Sequence, residues 1–592
     1  MKKPPMTPVD PIPPLKRPDL RQRLSFAMIF KREWYLLPYI HLILIQIRSR
    51  SPEARHVQGH SKRPRIESPY EFSVTGSLPT PPNPTAASLE LPPKQLADRL
   101  LDAYFYRVHR LYPFIHEGTF RSDYEQMWGR KTEASNRPSW LAVLNMLFCF
   151  GWEFCDRSNI SQPDNAFVFA ARAQSLLLPE MLAEASLEVV QALLLICHFL
   201  QGTLQVDRCW SLAGLMTHTA ISVGLHLNPT ALPLTSLEKE MRKRVWWGCI
   251  LLGYTLGMKF GRPPVVKMGD GSIVDLPAEI DDQYISSASL VPRQPTGRPS
   301  LTSFFVHTIR MAPIIERMLQ ELYLNGVSRS FMSNLEGAAA SGPTAAQILG
   351  ATVIIDGQLS EWWRTGPNHL TGEAQSDEDG GPEFARQRLV LLTRYHHIRL
   401  LVHRQSFLIY SRHQVHDPFL RSVAAASADI CISSARRSIQ LICAPENVHR
   451  LNSLYYNLHY AEDIFAASGV LLSLKTRDTA LSEAIGITED DETLGLGMEF
   501  LQSAGHSVPL AARYHSMLKQ IQSQIGRPEA RGTSRLNPTA ATPDTTGAID
   551  QAEFPMSRTS DEMGMAENVD DMNGLFGFEF LDSNDLFMGT GI

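Results

Sequence analysis

RKRVWWGCILLGYTLGMKFGRPPVV, residues Arg242 to Val266, has a nearly charge-free middle closed by bases on both sides. Three readings compete for it: a membrane span, the wall of a catalytic pocket, or a buried helix of a protein folded in water. The uncharged run Val245–Met258 holds 14 residues between Arg244 and Lys259. At about 1.5 Å of rise per residue a helix of that length covers roughly 21 Å, short of the ~30 Å hydrocarbon core of a bilayer. Val245, Cys249, Leu252 and Leu256 recur at helical spacing, and Trp246, Ile250, Gly253 and Gly257 form the adjoining stripe. Apolar on several sides, the helix belongs among other helices, with Gly253 and Gly257 admitting a close neighbour. Pro263 and Pro264 stop it.

Further helical runs extend in both directions from this one. Before it come 96–116, ending near Pro113, then 140–155, 165–178, 186–202 and 208–227; the central run itself spans 236–260. After it come 303–324, 348–363, 384–410, 423–442, 452–474 and 509–525. No series of alternating strands interrupts them, and no fixed-period repeat relates them. The expected fold class is all-α: a large multi-helical domain over 96–525, a basic, Pro-rich segment and linker over 1–95, and a disordered tail over 526–592. The linker contains SLPTPPNPTAASLELPP, and the tail begins with GRPEARGTSRLNPTAATPDTTG, too poor in apolar residues to offset the entropy of ordering it.

The chain has 592 residues, 44% of them hydrophobic and 20% charged, and a net charge of −5. That small total hides an asymmetry. Residues 1–65 carry fourteen Lys/Arg against four Asp/Glu, whereas residues 550–592 carry ten acids against Arg558 alone. A basic head and an acidic tail around a near-neutral middle point to a nucleic-acid or import-factor contact at one end and a protein contact at the other. The seven cysteines are scattered through apolar segments without a C-x-x-C, the pattern of reduced core thiols in an intracellular protein. The N-terminus lacks the layout of a secretory signal. Trp34–Ile47 is apolar but contains Pro38, His41 and Gln46 and is also too short to span, so a buried or partner-binding helix is expected there.

No nucleophile elbow, Walker loop, dinucleotide fingerprint or H-E-x-x-H is present, so no catalytic residue is assigned. GDGSIVDLP (269–277) reads as a surface turn. His396, His397 and His403 lie on one long helix without suitably spaced partners, so no metal ligand is assigned either. Two short segments carry more information. KRPR offers Lys62, Arg63 and Arg65 on an extended Pro/Ser-rich backbone, as an import receptor needs. In the tail, Phe576, Phe578, Phe580, Leu581, Leu586 and Phe587 sit among acids that keep them solvated, ready to fold onto a partner's apolar groove. That is the layout of an activation segment.

Taken together, LLDAYFYRVHRLYPFIHEGTF, WLAVLNMLFCFG, CWSLAGLMTHTAISVGLHLNP and MRKRVWWGCILLGYTLGMKFGRPPVV resemble successive blocks of the regulatory domain of fungal zinc-cluster transcription factors. LSEWW, RYHHIRLLVHRQSFL, CISSARRSIQLI and AASGVLL extend the resemblance over roughly 96–525. Its strongest points are Trp210 with Gly214, Gly224-Leu225-His226, Arg244 before Trp246-Trp247, and Gly261-Arg262-Pro263. The resemblance implies an all-α regulatory domain, a nuclear location and control of metabolic genes, often a secondary-metabolite cluster. It also implies an N-terminal six-cysteine, two-zinc DNA-binding module. Nothing before Cys149 in this sequence can bind zinc, so no cofactor is expected in this chain. Either a mis-started gene model has lost the module, or the chain reaches promoter DNA only through a partner factor. Tyr254 stands where the family commonly has an acidic residue. The expected partners are promoter DNA, directly or through another factor, and the transcription machinery through the acidic tail; a homodimer stays open, and no membrane is expected. A helical small-molecule sensor or co-regulator without direct DNA contact is the alternative.

Overall fold

A computed structural model describes residues 91–129, 137–154, 166–183, 185–201, 205–268, 274–288, 291–324, 343–372, 381–447, 454–474, 487–506 and 508–525. Sixteen helices occur among them and no strand, as the sequence implies. The first seven are α1 Lys94–Tyr104, α2 Glu117–Gly129, α3 Pro138–Trp152, α4 Ala166–Ala183, α5 Leu187–Leu200, α6 Val206–Ser222 and α7 Ser236–Phe260. Two short helices, α8 Ser303–Ile309 and α9 Ala312–Met318, follow, then α10 Ala345–Arg364 and the single turn α11 Asn368–Thr371. The last five are α12 Gly381–Ser411, α13 Pro418–Cys443, α14 Leu454–Leu474, α15 Ile487–Ala504 and α16 Pro509–Ile525.

The central helix α7 has the limits that its sequence signals. Thr235 caps it: the Glu238 amide donates to Thr235 Oγ1 at 3.3 Å, while the Thr235 amide donates to Glu238 Oε2 at 2.8 Å. This reciprocal box satisfies two of the four orphan donors of the first turn. At the other end Gly261 takes φ 57°, a left-handed conformation that glycine adopts without a Cβ clash, and the chain leaves before the two prolines. The run 303–324 does not stay whole. It breaks after Ile309 because Pro313, which has no amide hydrogen, sits at the start of a new helix.

Packing falls into two groups of helices. α3 lies against α1, α4 and α5; α5 lies against α6 and α7. In the second group α12 packs along α13, α13 on α14 and α15, and α16 on α14 and α15, while α10 and α11 rest on α12. One apolar core runs through both groups, from Leu96 to Ile521. Polar threads cross it as well: Gln387 on α12 is buried and donates to the carbonyls of Arg110 at 2.7 Å and Leu301 at 2.9 Å. Lys259 at the end of α7 pairs with Glu462 on α14 at 2.7 Å. Such bonds are strong where water is excluded, and they hold the two groups in one register.

No helix of the described residues is long and apolar enough to cross a membrane. Trp34–Ile47 lies outside the described residues. Cys149, Cys197, Cys209, Cys249 and Cys431 are buried free thiols and Cys443 is half-buried. Burial pushes the Cys431 and Cys443 thiols up to about 12, which leaves them protonated and unreactive near neutral pH.

Candidate functional site

The residues that carry the family resemblance converge on α6, α7 and the segments flanking them. Trp210 on α6 packs edge-on against Phe260 at 6.1 Å and under the Arg262 guanidinium at 5.3 Å; Arg262 also pairs with Asp207 at 3.0 Å. The break after α6 is made at Gly224, φ 78°, beside which Arg242 Nη2 donates to the Val223 carbonyl at 2.7 Å. His226 and Trp246 place their rings 6.3 Å apart. Trp247 Nε1 donates to the Asp275 carbonyl at 3.1 Å, fixing the part of GDGSIVDLP that the structure describes. Tyr254 is fully buried, and its hydroxyl accepts from the Met268 amide at 3.2 Å, a polar contact at the position where the resemblance led to an acidic residue being expected.

Arg244 is the centre of this region. It occupies a buried face of an otherwise apolar helix and is fully excluded from solvent. Nε donates to Glu240 Oε1 at 3.0 Å, one turn earlier; Nη1 donates to Asp282 Oδ1 at 2.5 Å, and Nη2 to the Ile280 carbonyl at 3.1 Å. Asp282 uses its second oxygen on two further partners, His109 Nε2 at 3.1 Å and the Glu117 amide at 2.9 Å, so that it also caps α2. Glu240 in turn accepts from the Ala278 amide at 3.0 Å. One cation and two carboxylates thus fasten the strap 278–282 to α7 and to the 109–117 corner.

Burial by itself would push the Asp282 carboxyl up, but Arg244 and then His109 outweigh it and hold it well below the usual carboxylate range. For Arg244, burial opposes the charge, and Asp282 and Glu240 more than restore it. Each charge is therefore neutralised within the cluster. With every face of the guanidinium engaged and no opening to solvent, the arrangement fixes shape and offers no group to a reactant.

Two of the three histidines of α12 lie beside carboxylates. His397 Nδ1 lies 3.0 Å from Asp463 Oδ1, and His403 Nε2 lies 3.2 Å from Asp356 Oδ1, which Arg399 also holds at 2.8 Å. His396 is held at about 4 by burial, with Arg437 and Arg399 adding to the effect. Among the described residues no group of three or more His, Cys, Asp or Glu side chains is placed to hold a metal ion. Lys62, Arg63 and Arg65, and Phe576, Phe578, Phe580, Leu581, Leu586 and Phe587, all lie outside the described residues.

Sequence reasoning singled out Arg244 but not Glu240, Asp282 or His109. The available signal was a Glu-x-x-x-Arg pair aligned with apolar α7 positions, since charges on a buried face require partners. Of the two glycines expected to admit a neighbour, only Gly257 does so: a Cβ there would lie 3.1 Å from the Arg262 carbonyl oxygen and 3.3 Å from Leu319, while Gly253 faces open space. The tightest approach on α7 is at Gly248, where a Cβ would lie 2.5 Å from the Phe114 ring.

Comparison with known proteins agrees with this architecture. Residues 101–363 match the fungal specific transcription factor domain. The chain is 26% identical over 534 residues to Transcription factor FBD3 of Fusarium pseudograminearum, across 86% of this chain and 66% of that protein. It is 26% identical to the ABC-transporter-regulating transcription factor of Aspergillus oryzae, across 60% of this chain and 38% of that one. It is 29% identical to Sorbicillinoid biosynthetic cluster transcription factor 2 of Penicillium rubens, across 31% and 28% respectively. The chain thus spans less than two thirds of the length of each of these relatives. The family is regulatory and not enzymatic. Residues 101–363 thus match the fungal specific transcription factor domain, and the relatives that the chain resembles are named as fungal transcription factors.

Proposed function

We propose that the chain is a nuclear activator of metabolic genes, foremost a secondary-metabolite biosynthetic cluster. Residues 96–525 would be its regulatory domain, between the segment 1–95 and the tail 526–592. The observation that carries the reading is the charge layout around this domain: a basic segment with Lys62, Arg63 and Arg65 on one side, and acids interspersed with Phe and Leu on the other. An import receptor recognises exposed Lys and Arg on extended backbone. An acidic, Phe-bearing tail gains an apolar contact only when a groove on the transcription machinery accepts Phe576, Phe578, Phe580, Leu581, Leu586 and Phe587. The regulator named for a biosynthetic cluster among the relatives supports the choice of genes. Promoter DNA is reached directly or through a partner factor, and no cofactor is bound by this chain.

Genomic occupancy of the tagged full chain tests the core of this reading. Enrichment at promoters of a gene cluster is the expected result; a chromatin profile indistinguishable from an untagged control would defeat it. Deleting residues 570–592 from a fusion to a heterologous DNA-binding module should abolish most reporter activation, and unchanged activation would remove that role from the tail. Replacing Lys62, Arg63 and Arg65 by Ala should shift the protein out of the nucleus.

A further inference from the structure

Beyond the buried clamp, residues 291–299 read VPRQPTGRP and form neither helix nor strand. Pro292 and Pro295 have a fixed φ, and each confines the residue before it to extended backbone. A turn follows: the Arg298 amide donates to the Pro295 carbonyl at 3.2 Å, and Gly297 takes φ 79°. Thr296 keeps a negative φ, so the turn is type II, whose second residue is itself extended. The extended run therefore reaches Thr296. One side chain holds it from beneath. Gln294 Nε2 donates to Asp281 Oδ2 at 3.0 Å, and Gln294 Oε1 accepts from the Asp281 amide at 3.0 Å. So fastened, the segment leaves Arg293, Thr296 and Arg298 exposed, with Val291 at 70% exposure.

Arg293 stands three residues before Thr296 and Val291 two residues before Arg293. Protein kinases choose substrates by such charge patterns and need the acceptor hydroxyl laid beside the catalytic aspartate. An arginine and an apolar residue at these distances suit the calmodulin-dependent class. Spacing alone is weak evidence, since four described residues follow an arginine in this way: Ser175, Ser211, Thr296 and Ser516. The fold separates them. Ser175, Ser211 and Ser516 lie inside α4, α6 and α16, and the last two donate to the Asp207 and Ala512 carbonyls at 2.9 Å. A helical acceptor must unwind before a kinase can align it, whereas Thr296 is already extended and exposed. The flanking charges add a second observation. Among the described residues no carboxylate pairs with Arg293 or Arg298; Arg298 Nη1 donates only to the Tyr284 hydroxyl, at 3.4 Å. A phosphate, carrying about −1.5 to −2 charges near neutral pH, would give both guanidinium groups an anion to share.

We propose that Thr296 is a phosphorylation site for a kinase that reads arginine three residues before the acceptor, and that the phosphate then bridges Arg293 and Arg298. In the transfer Thr296 Oγ1 attacks the γ-phosphorus of ATP. The new O–P bond forms as the bond to the ADP oxygen breaks, and the hydroxyl proton passes to the kinase base. The inference is independent of which genes the chain controls, because its readout is the modified residue.

The test treats the full chain with ATP and a purified calmodulin-dependent protein kinase. Intact mass counts the phosphoryl groups, and fragmentation places them. Thr296 should be modified at least about tenfold faster than Ser175, Ser211 or Ser516. Thr296→Ser should keep the modification, Thr296→Ala should lose it, and Arg293→Ala should slow it about tenfold. All three variants should melt as the wild type does, since both positions are exposed. A synthetic peptide of residues 287–300 runs beside the chain. A peptide modified while the folded chain is not means that the fold hides the hydroxyl. A peptide left unmodified means that the segment is no substrate. Either result overturns the proposal, as does an Arg293→Ala chain modified at the wild-type rate. Hydrogen exchange of 293–298 should slow on phosphorylation of the wild type but not of Arg298→Ala; exchange unchanged by the phosphate overturns the bridge.

Discussion

Replacing Arg244 by Met removes the cation of the buried clamp while keeping most of its volume. Asp282 and Glu240 would then remain inside the protein without the guanidinium that binds both, although Lys243 stays 3.3 Å from Glu240. His109 and the Glu117 amide still reach Asp282, but neither reaches Glu240. Breaking a buried pair on one side costs about 3–5 kcal/mol, far above the 0–1 kcal/mol typical of an exposed bridge. Urea unfolding should show a loss of that size, with hydrogen exchange accelerated first in 274–288 and 104–117, the segments that the clamp fastens. The pH dependence supplies a sharper signature. In the wild type the Asp282 carboxyl is held below its ordinary value, so its contribution is fully present above about pH 4 and is lost as pH falls through the depressed folded value. In Arg244→Met the larger of the two groups that depress that carboxyl is gone while His109 remains, so the loss of stability on acidification should be smaller than in the wild type. Adding Asp282→Asn to Arg244→Met should recover part of the loss, because the buried anion is gone. A loss below about 1 kcal/mol, at the level of an exposed bridge, or an Arg244→Met variant with the wild-type pH profile, would refute the reasoning.

Three further outcomes follow from the same geometry. Gly248→Ala forces a methyl into the Phe114 ring and should destabilise by about 1–3 kcal/mol, whereas Gly253→Ala meets open space and should stabilise by roughly 0.5–1 kcal/mol; thermal melts of the pair check the contrast. The pairing with Asp463 holds the His397 imidazolium above its usual pKa despite burial. That contribution is present below about pH 6.5 and is lost as pH rises through the folded value; Asp463→Asn should flatten this part of the stability profile. Lys259→Met leaves Glu462 facing the α7–α14 junction without its cation and should cost about 1–3 kcal/mol, read as earlier exchange of amides in 454–474.

Helical class and the limits of α7 were legible in the sequence because their causes are local. Apolar residues three and four apart, a Thr-x-x-Glu box at 235–238 and a glycine before paired prolines all act within a few residues, so Ser236–Phe260 needs no distant partner to be located. Elements without such a local signature escaped. α2 buries only Phe120 and Tyr124, and α15 opens on the acidic stretch ITEDDET, so neither shows a strong apolar period. The continuous reading of 303–324 failed because apolar spacing alone did not register the restart at Pro313. The choice of partners belongs to tertiary structure. Arg244 finds Glu240 one turn away, but Asp282 lies 38 positions along the chain. His109 joins them from before α2, and only the packing of the core brings it near. Periodicity states that a residue faces inward; which residue it meets there depends on how the loops close and how the helices cross.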